Sequence, residues 1–330
     1  MHDTGVVRAI LFGSLISFGT LLQAQPAQTQ TDAQAAEARA NWEAQQKRLN
    51  AIPDTPGSGP FAAMKEEVPS LPNQVVYRPR DLTKLGKTRL GLYVFGNGGC
   101  SDDGASARLH LLEIASHGYL AIAPGKIRNG PGATTPASWR GPVAGEFPPP
   151  PTSHTDLLNA IEWALAQNAD PKSPLYDKLD PKAIAVSGFS CGGLQALLVA
   201  PDPRVKTVVI MNSGIYTSGA RIPSLELPKS QLDKLHTPTL YILGGKTDIA
   251  YENGMDDYRR IEHVPVMVAN LDVGHGGTYW EPNGGKAAAA VVAWLNWQLR
   301  GDEASAKWFV GERCGLCTDA AWTVEKKRID

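Results

Sequence analysis

Charge imbalance is missing from this chain: 32 basic residues face 33 acidic ones, for a formal net charge of −1. Without a basic field the surface offers no electrostatic case for nucleic acid, and the expected partners are small or neutral. Long apolar runs are also missing, apart from one near the N-terminus, so no membrane span is expected in the mature protein. Internal repeats and blocks of like charge do not occur, and cysteine is scarce, with four residues in 330.

The single apolar run, Ala9 to Leu22 in MHDTGVVRAILFGSLISFGTLLQAQ, follows an arginine and ends near the small residue Ala24. That is the grammar of a secretory signal peptide, expected over residues 1–24, and the run is short for a membrane span. An uncleaved N-terminal anchor is the alternative. The expectation is therefore a secreted or periplasmic protein in a compartment where disulfides persist. Residues 25–70 are rich first in Gln, Ala and Glu and then in Pro and Gly, as in AIPDTPGSGPF. They read as a tether with a short helix around Ala35 to Leu49.

From residue 71 to 330 short apolar runs alternate with helical patterns, which predicts an α/β fold with a mostly parallel central sheet and helices on both faces. Strands are expected at Leu90–Phe95, Tyr119–Ala123, Ala183–Ser187, Val205–Met211, Thr239–Leu243 and Val266–Leu271, and a closing helix at Lys286–Leu299. In such sheets the loops at the carboxyl ends of the strands form the binding site.

Gly188-Phe189-Ser190-Cys191-Gly192 is G-x-S-x-G between a buried strand and a helix, the context in which the motif forms a nucleophile elbow. A serine hydroxyl is a weak nucleophile, so it needs a base and the base needs an orienting acid. His275, in LDVGHGGTYW, follows the last parallel strand, and Asp248, in LYILGGKTDIAYENG, follows the one before it. The order serine, aspartate, histidine, each at a strand's carboxyl end, makes these three the candidate triad. Asp272 is the rival acid, but it stands only three residues before His275 and would need a bent local geometry. His110, His117, His154 and Glu252 fall in or beside helical patterns and are expected to be structural or solvated.

Acyl transfer also requires donors for a developing oxyanion. The Cys191 N–H is one candidate, and the glycine-rich loop VFGNGGCSDDG supplies the others, Gly99 and Cys100. The alternative for that loop is a tight turn or a phosphate cradle, but no G-K-[ST] follows it.

Through these motifs, over residues 71 to 300, the chain resembles the serine α/β-hydrolases. FGNGGCSDDG, GFSCGG and GHGGTY are similar to secreted bacterial and fungal esterase-like hydrolases, and more distantly to dienelactone-hydrolase and cutinase-like polyesterases. The resemblance implies an α/β-hydrolase fold and a carboxylic-ester hydrolase that needs no cofactor and no metal, acting on a small-molecule or polymer ester. A peptidase or amidase with the same triad, and a binding protein that kept the scaffold, are the alternatives.

Four cysteines permit three pairings. Two amides that share one oxyanion lie close enough for their residues to meet the α-carbon spacing of a disulfide, so a Cys100–Cys191 bridge is sterically allowed; two buried thiols are the alternative. Cys314-Gly-Leu-Cys317, in a polar tail, is expected to close as a short structural loop, against a redox or zinc pair. Trp139 and Arg140, in a Gly/Pro-rich segment, and Tyr279 and Trp280, after the histidine, are candidate pocket walls.

Overall fold

The computed structural model describes residues 32–137, 149–217 and 225–330. The expected signal peptide, and Trp139 and Arg140, lie outside them. Nine strands form one sheet: β1 (Ala63–Glu67), β2 (Gln74–Pro79), β3 (Leu90–Gly96), β4 (Tyr119–Pro124), β5 (Leu179–Phe189), β6 (Thr207–Met211), β7 (Thr239–Leu243), β8 (Val266–Leu271) and β9 (Trp322–Lys327). Their spatial order is β1-β2-β4-β3-β5-β6-β7-β8-β9. The six strands from β4 to β8 run parallel, while β1, β2 and β9 pair antiparallel at the two edges.

Alternation along the strands sends side chains to two separate cores. Leu92, Val94, Val208, Ile210, Tyr241 and Val268 face one side. Tyr93, Phe95, Val209, Met211, Leu240 and Met267 face the other. Because both faces are buried, these strands read as continuous apolar runs, as parallel strands must when helices cover both sides. Of the six main helices, α1 (Asp32–Ala51) lies in the N-terminal segment and α2 (Arg108–Ser116) covers the second core. The first core is covered by α3 (His154–Ala169), α4 (Cys191–Val199) and α5 (Tyr251–Arg260), and α6 (Gly285–Arg300) joins α2 on the opposite face. No helix among the described residues is long and apolar enough to cross a membrane.

The structure corrects the reading of the N-terminal segment. Residues 32–70, most of the expected tether at 25–70, are built into the fold, because β1 extends the sheet and the segment before it is fastened to Arg108. That guanidinium is fully buried and donates to the Leu49 and Ile52 carbonyls (2.8 and 2.7 Å), the Asp54 carboxylate (2.9 Å) and Asn129 Oδ1 (2.7 Å). A buried cation is costly unless paired, and these partners come mostly from the N-terminal segment. The C-terminal tail likewise belongs to the fold. Phe309, Cys314 and Leu316 enter the second core, and β9 closes the sheet edge beside β8.

Candidate active site

The chain reverses its direction of travel across the sheet between β3 and β5, and ligand crevices form outside the carboxyl ends of strands at such a switch. Five loops meet there, those leaving β3, β5, β6, β7 and β8.

Ser190 stands between β5 and α4 with φ 52° and ψ −121°, a conformation that costs a non-glycine residue on the order of 1–3 kcal/mol. Its N–H donates to the Met211 carbonyl (3.0 Å), and its own carbonyl accepts from Ser213 Oγ (2.6 Å). The flanking glycines are needed because three stretches of backbone touch. A Cβ on Gly192 would lie 2.0 Å from the Gly96 carbonyl oxygen, and one on Gly188 would lie 2.1 Å from that of Gly192. The G-x-S-x-G spacing therefore expresses the packing of α4 against β3 and β5 as well as the turn itself.

His275 Nε2 lies 3.0 Å from Ser190 Oγ, and its Nδ1 lies 2.6 Å from Asp248 Oδ1. The three residues thus form one hydrogen-bonded chain, although 85 residues separate Ser190 from His275. The Asp248 side chain is fully buried. Burial opposes its charge, but His275, the Ala250 and Gly244 N–H groups and the Asn212 amide all donate to it, and together they hold its carboxyl below the usual carboxylate value. Asp272, the rival acid, is exposed and makes no hydrogen bond to His275 among the described residues.

Cys100 and Cys191 form a disulfide with α-carbons 5.2 Å apart, and Cys314 and Cys317 form a second with α-carbons 4.9 Å apart. The first joins the loop after β3 to the first residue of α4. The same loop is held again by Thr152 Oγ1, which donates to the Cys100 carbonyl (2.8 Å), while Gln195 of α4 donates to the Thr152 carbonyl (2.9 Å). The Cys100 N–H, a candidate oxyanion donor, instead donates to the Asn97 carbonyl at 3.1 Å. The 3₁₀ turn over Gly98–Cys100 consumes it, which corrects that expectation. Gly99, at φ 61°, and Cys191, at the N-terminus of α4, keep backbone N–H groups with no acceptor among the described residues.

Beside Ser190 and His275 opens a cleft of about 210 Å³, bounded by Leu194, Ser213, Tyr216, Ile249, Asn253 and neighbouring backbone. Neither Tyr279 nor Trp280 lines it. Tyr279 is buried, its ring centroid 4.5 Å from that of Phe189 and its hydroxyl donating to Asn212 Oδ1 at 3.0 Å. Trp280 packs against the second core. Tyr279 therefore acts one layer back: it orients Asn212, whose amide donates to Asp248 Oδ2 at 2.9 Å.

The wall residues Ser213, Tyr216, Ile249 and Asn253 were not apparent as site residues from sequence. The signal was available for the first two, since NSGIYT directly follows a parallel strand and such strand ends carry sites. His110 is buried with Nε2 3.0 Å from the Tyr93 hydroxyl, and burial pushes its imidazole down to about 3, so it stays neutral. His117 lies 3.0 Å from Glu113, and Glu252 is exposed on α5. Among the described residues no group of three His, Cys, Asp or Glu side chains is placed to hold a metal ion.

The arrangement can move a proton from a serine hydroxyl to an imidazole whose charged form a buried carboxylate would stabilise. No protein-family model matches the chain, and no curated protein matches it.

Proposed function

We propose that the protein is an exported serine hydrolase of the α/β-hydrolase type, acting on carboxylic esters. The observation that carries this reading is the Ser190–His275–Asp248 chain, with contacts of 3.0 and 2.6 Å, at the carboxyl ends of β5, β8 and β7. The oxyanion loop of such enzymes follows β3, as the Gly98–Cys100 turn does here. Export is supported by the N-terminal apolar run and by the two disulfides.

In this reading Ser190 Oγ attacks the acyl carbon while His275 Nε2 takes its proton. The carbonyl oxygen, now negative, is met by the Cys191 and Gly99 N–H groups, the first of them strengthened by the positive end of α4. Asp248 holds the imidazole with Nε2 towards the serine and stabilises its charged form. The imidazolium then returns the proton to the departing alcohol as the C–O bond breaks, leaving an acyl-serine. Water, deprotonated by the same imidazole, attacks that ester, and the acid leaves as Ser190 regains its proton. Every proton is handled by the chain's own groups and water.

The test is labelling of the mature protein with a fluorophosphonate, followed by turnover on a panel of short esters and matched amides. Ser190 is expected to be the labelled residue, with esters turned over and Ser190→Ala inert towards both probe and substrate. Labelling elsewhere, or ester turnover retained in Ser190→Ala, would remove the proposal. Amide turnover exceeding ester turnover would replace the esterase reading with an amidase.

A further inference from the structure

We propose that Asp257 is a positioning residue for this site: it clamps the cleft wall at 213–217 through the Ile215 N–H and so sets how tightly the acyl group is held. The inference rests on the hydrolase reading of Ser190 and deepens it.

The wall leaves β6 without regular secondary structure, so its backbone donors need partners from elsewhere. Two of them are met by side chains of α5. Asp257 Oδ2 accepts the Ile215 N–H at 2.8 Å, and Asn253 Oδ1 accepts the Thr217 N–H at 3.4 Å. Asn253 and Asp257 stand one helical turn apart on a single face of α5, so the wall hangs from one helix at two points. Between those points lies Tyr216, a cleft residue, and before them Gly214 and Ser213, the latter bonded to the Ser190 carbonyl.

Asp257 is an expensive way to build such a clamp. Its side chain is completely buried, and an apolar residue of similar size commonly serves stability as well. The groups facing it come from three directions. Lys229 Nζ reaches Oδ1 at 2.6 Å from the turn at Lys229–Lys234, the Tyr241 hydroxyl donates to Oδ2 at 3.3 Å from β7, and the Ile215 N–H arrives from the wall. On α5 itself Asp256 shares Lys229 at 2.7 Å and is paired with Arg260 at 2.8 Å, so Lys229 is divided between two carboxylates. Burial pushes the Asp257 carboxyl up to about 6, against the opposing pull of Lys229, Ile215 and Tyr241. The clamp is thereby charged at neutral pH and discharged in mild acid. Protonation weakens the ion pair with Lys229 and the hydrogen bond to Ile215, and the wall loosens as pH falls through that value.

Steady-state kinetics of the intact mature protein on a water-soluble short-chain ester, from pH 5 to 8, read this directly. In the wild type KM is expected to rise as pH drops below about 6. Asp257→Asn should raise KM about five- to tenfold at pH 8, the size of one net hydrogen bond, because the amide oxygen still accepts the Ile215 N–H but without its charge, with kcat changed less than about threefold. Its KM should also be flat with pH. Lys229→Gln removes the counter-ion and gives up only a long contact to the Asn253 carbonyl (3.5 Å), leaving the Ile215 and Thr217 hydrogen bonds in place, and it should move the KM inflection to higher pH. If Asp257→Asn does not fold, the Lys229→Gln inflection alone decides: an upward move supports the clamp and an unmoved one overturns it. An Asp257→Asn enzyme with wild-type KM, or with the loss confined to kcat, also overturns it. Wild-type ester turnover separates the two proposals. Its absence sinks the hydrolase reading and this inference with it, whereas turnover with an unaltered KM in Asp257→Asn sinks this inference alone.

Discussion

Replacing Cys100 and Cys191 together by alanine separates two effects of one bridge. The disulfide closes a stretch of 91 residues, whereas Cys314–Cys317 closes one of 3. Restricting the unfolded chain to those loops stabilises the native state by about 4.6 and about 1.6 kcal/mol respectively at 25 °C. The first figure is a large share of a typical stability of about 5–15 kcal/mol. With a urea dependence of about 3 kcal/mol/M, the Cys100/Cys191 variant should lose about 1.5 M from its midpoint and the Cys314/Cys317 variant about 0.5 M. Stability is only half of the test, because a bridge acting solely on the unfolded chain leaves kcat untouched. Here the bridge also ties Gly99 to the start of α4, the two places that keep free N–H groups. Losing one oxyanion donor outright costs about 10²–10³ in kcat. Because Thr152, itself held by Gln195, still holds the Cys100 carbonyl, loosening should cost about tenfold. The assay is non-reducing urea unfolding followed by kcat on a short ester well below the unfolding midpoint. A double variant with the wild-type midpoint would refute the chain-entropy argument, and one with wild-type kcat would refute the brace.

Asp248→Asn should keep the fold and lose about 10³–10⁴ in kcat, because an amide neither selects the right imidazole tautomer nor stabilises its charge. Its linkage has a definite sign. The folded carboxyl sits below the unfolded value of 3.8, so its stabilisation is complete above that value and is lost as pH falls through the lower folded one. Acid unfolding of Asp248→Asn followed by circular dichroism should therefore fall less steeply below pH 4 than the wild type, and an equal slope would contradict the assignment. Arg108→Met leaves the Leu49 and Ile52 carbonyls without their buried donor and Asp54 with Lys65 as its remaining partner, and a loss of about 2–4 kcal/mol in urea unfolding is expected, with proteolysis first cutting near residues 49–56. A loss under about 1 kcal/mol would show that the N-terminal segment is held by other contacts.

The parallel centre of the sheet was legible because each strand is buried on both faces and must be apolar along its length, as VVIM in β6 and TLYIL in β7 are. The edges were not. In β1, AMKEE carries charge, as an exposed edge should, and nothing in that stretch separates an edge strand from a loop until its pairing with β2 is seen. Ser190, Asp248 and His275 stood out as candidates for a different reason: each lies in the loop that follows a recognisable strand, and chain order limits which loops meet. The disulfide was anticipated from the notion that the Cys100 and Cys191 amides share an oxyanion. The pairing holds, but the Cys100 amide is spent inside its own turn.

Continuous apolar runs and the glycines of the elbow act within a few residues, and they were enough to locate the central strands and the turn at Ser190. Tertiary structure alone decided what depends on side chains from distant elements arriving at one point. It set Arg108 under the Leu49 and Ile52 carbonyls, turned Tyr279 inward onto Asn212, and brought Asp257 beneath the cleft wall. The physical reason is that a buried polar group must be satisfied by whatever donor or acceptor the packing delivers, and local spacing carries no record of which one that will be.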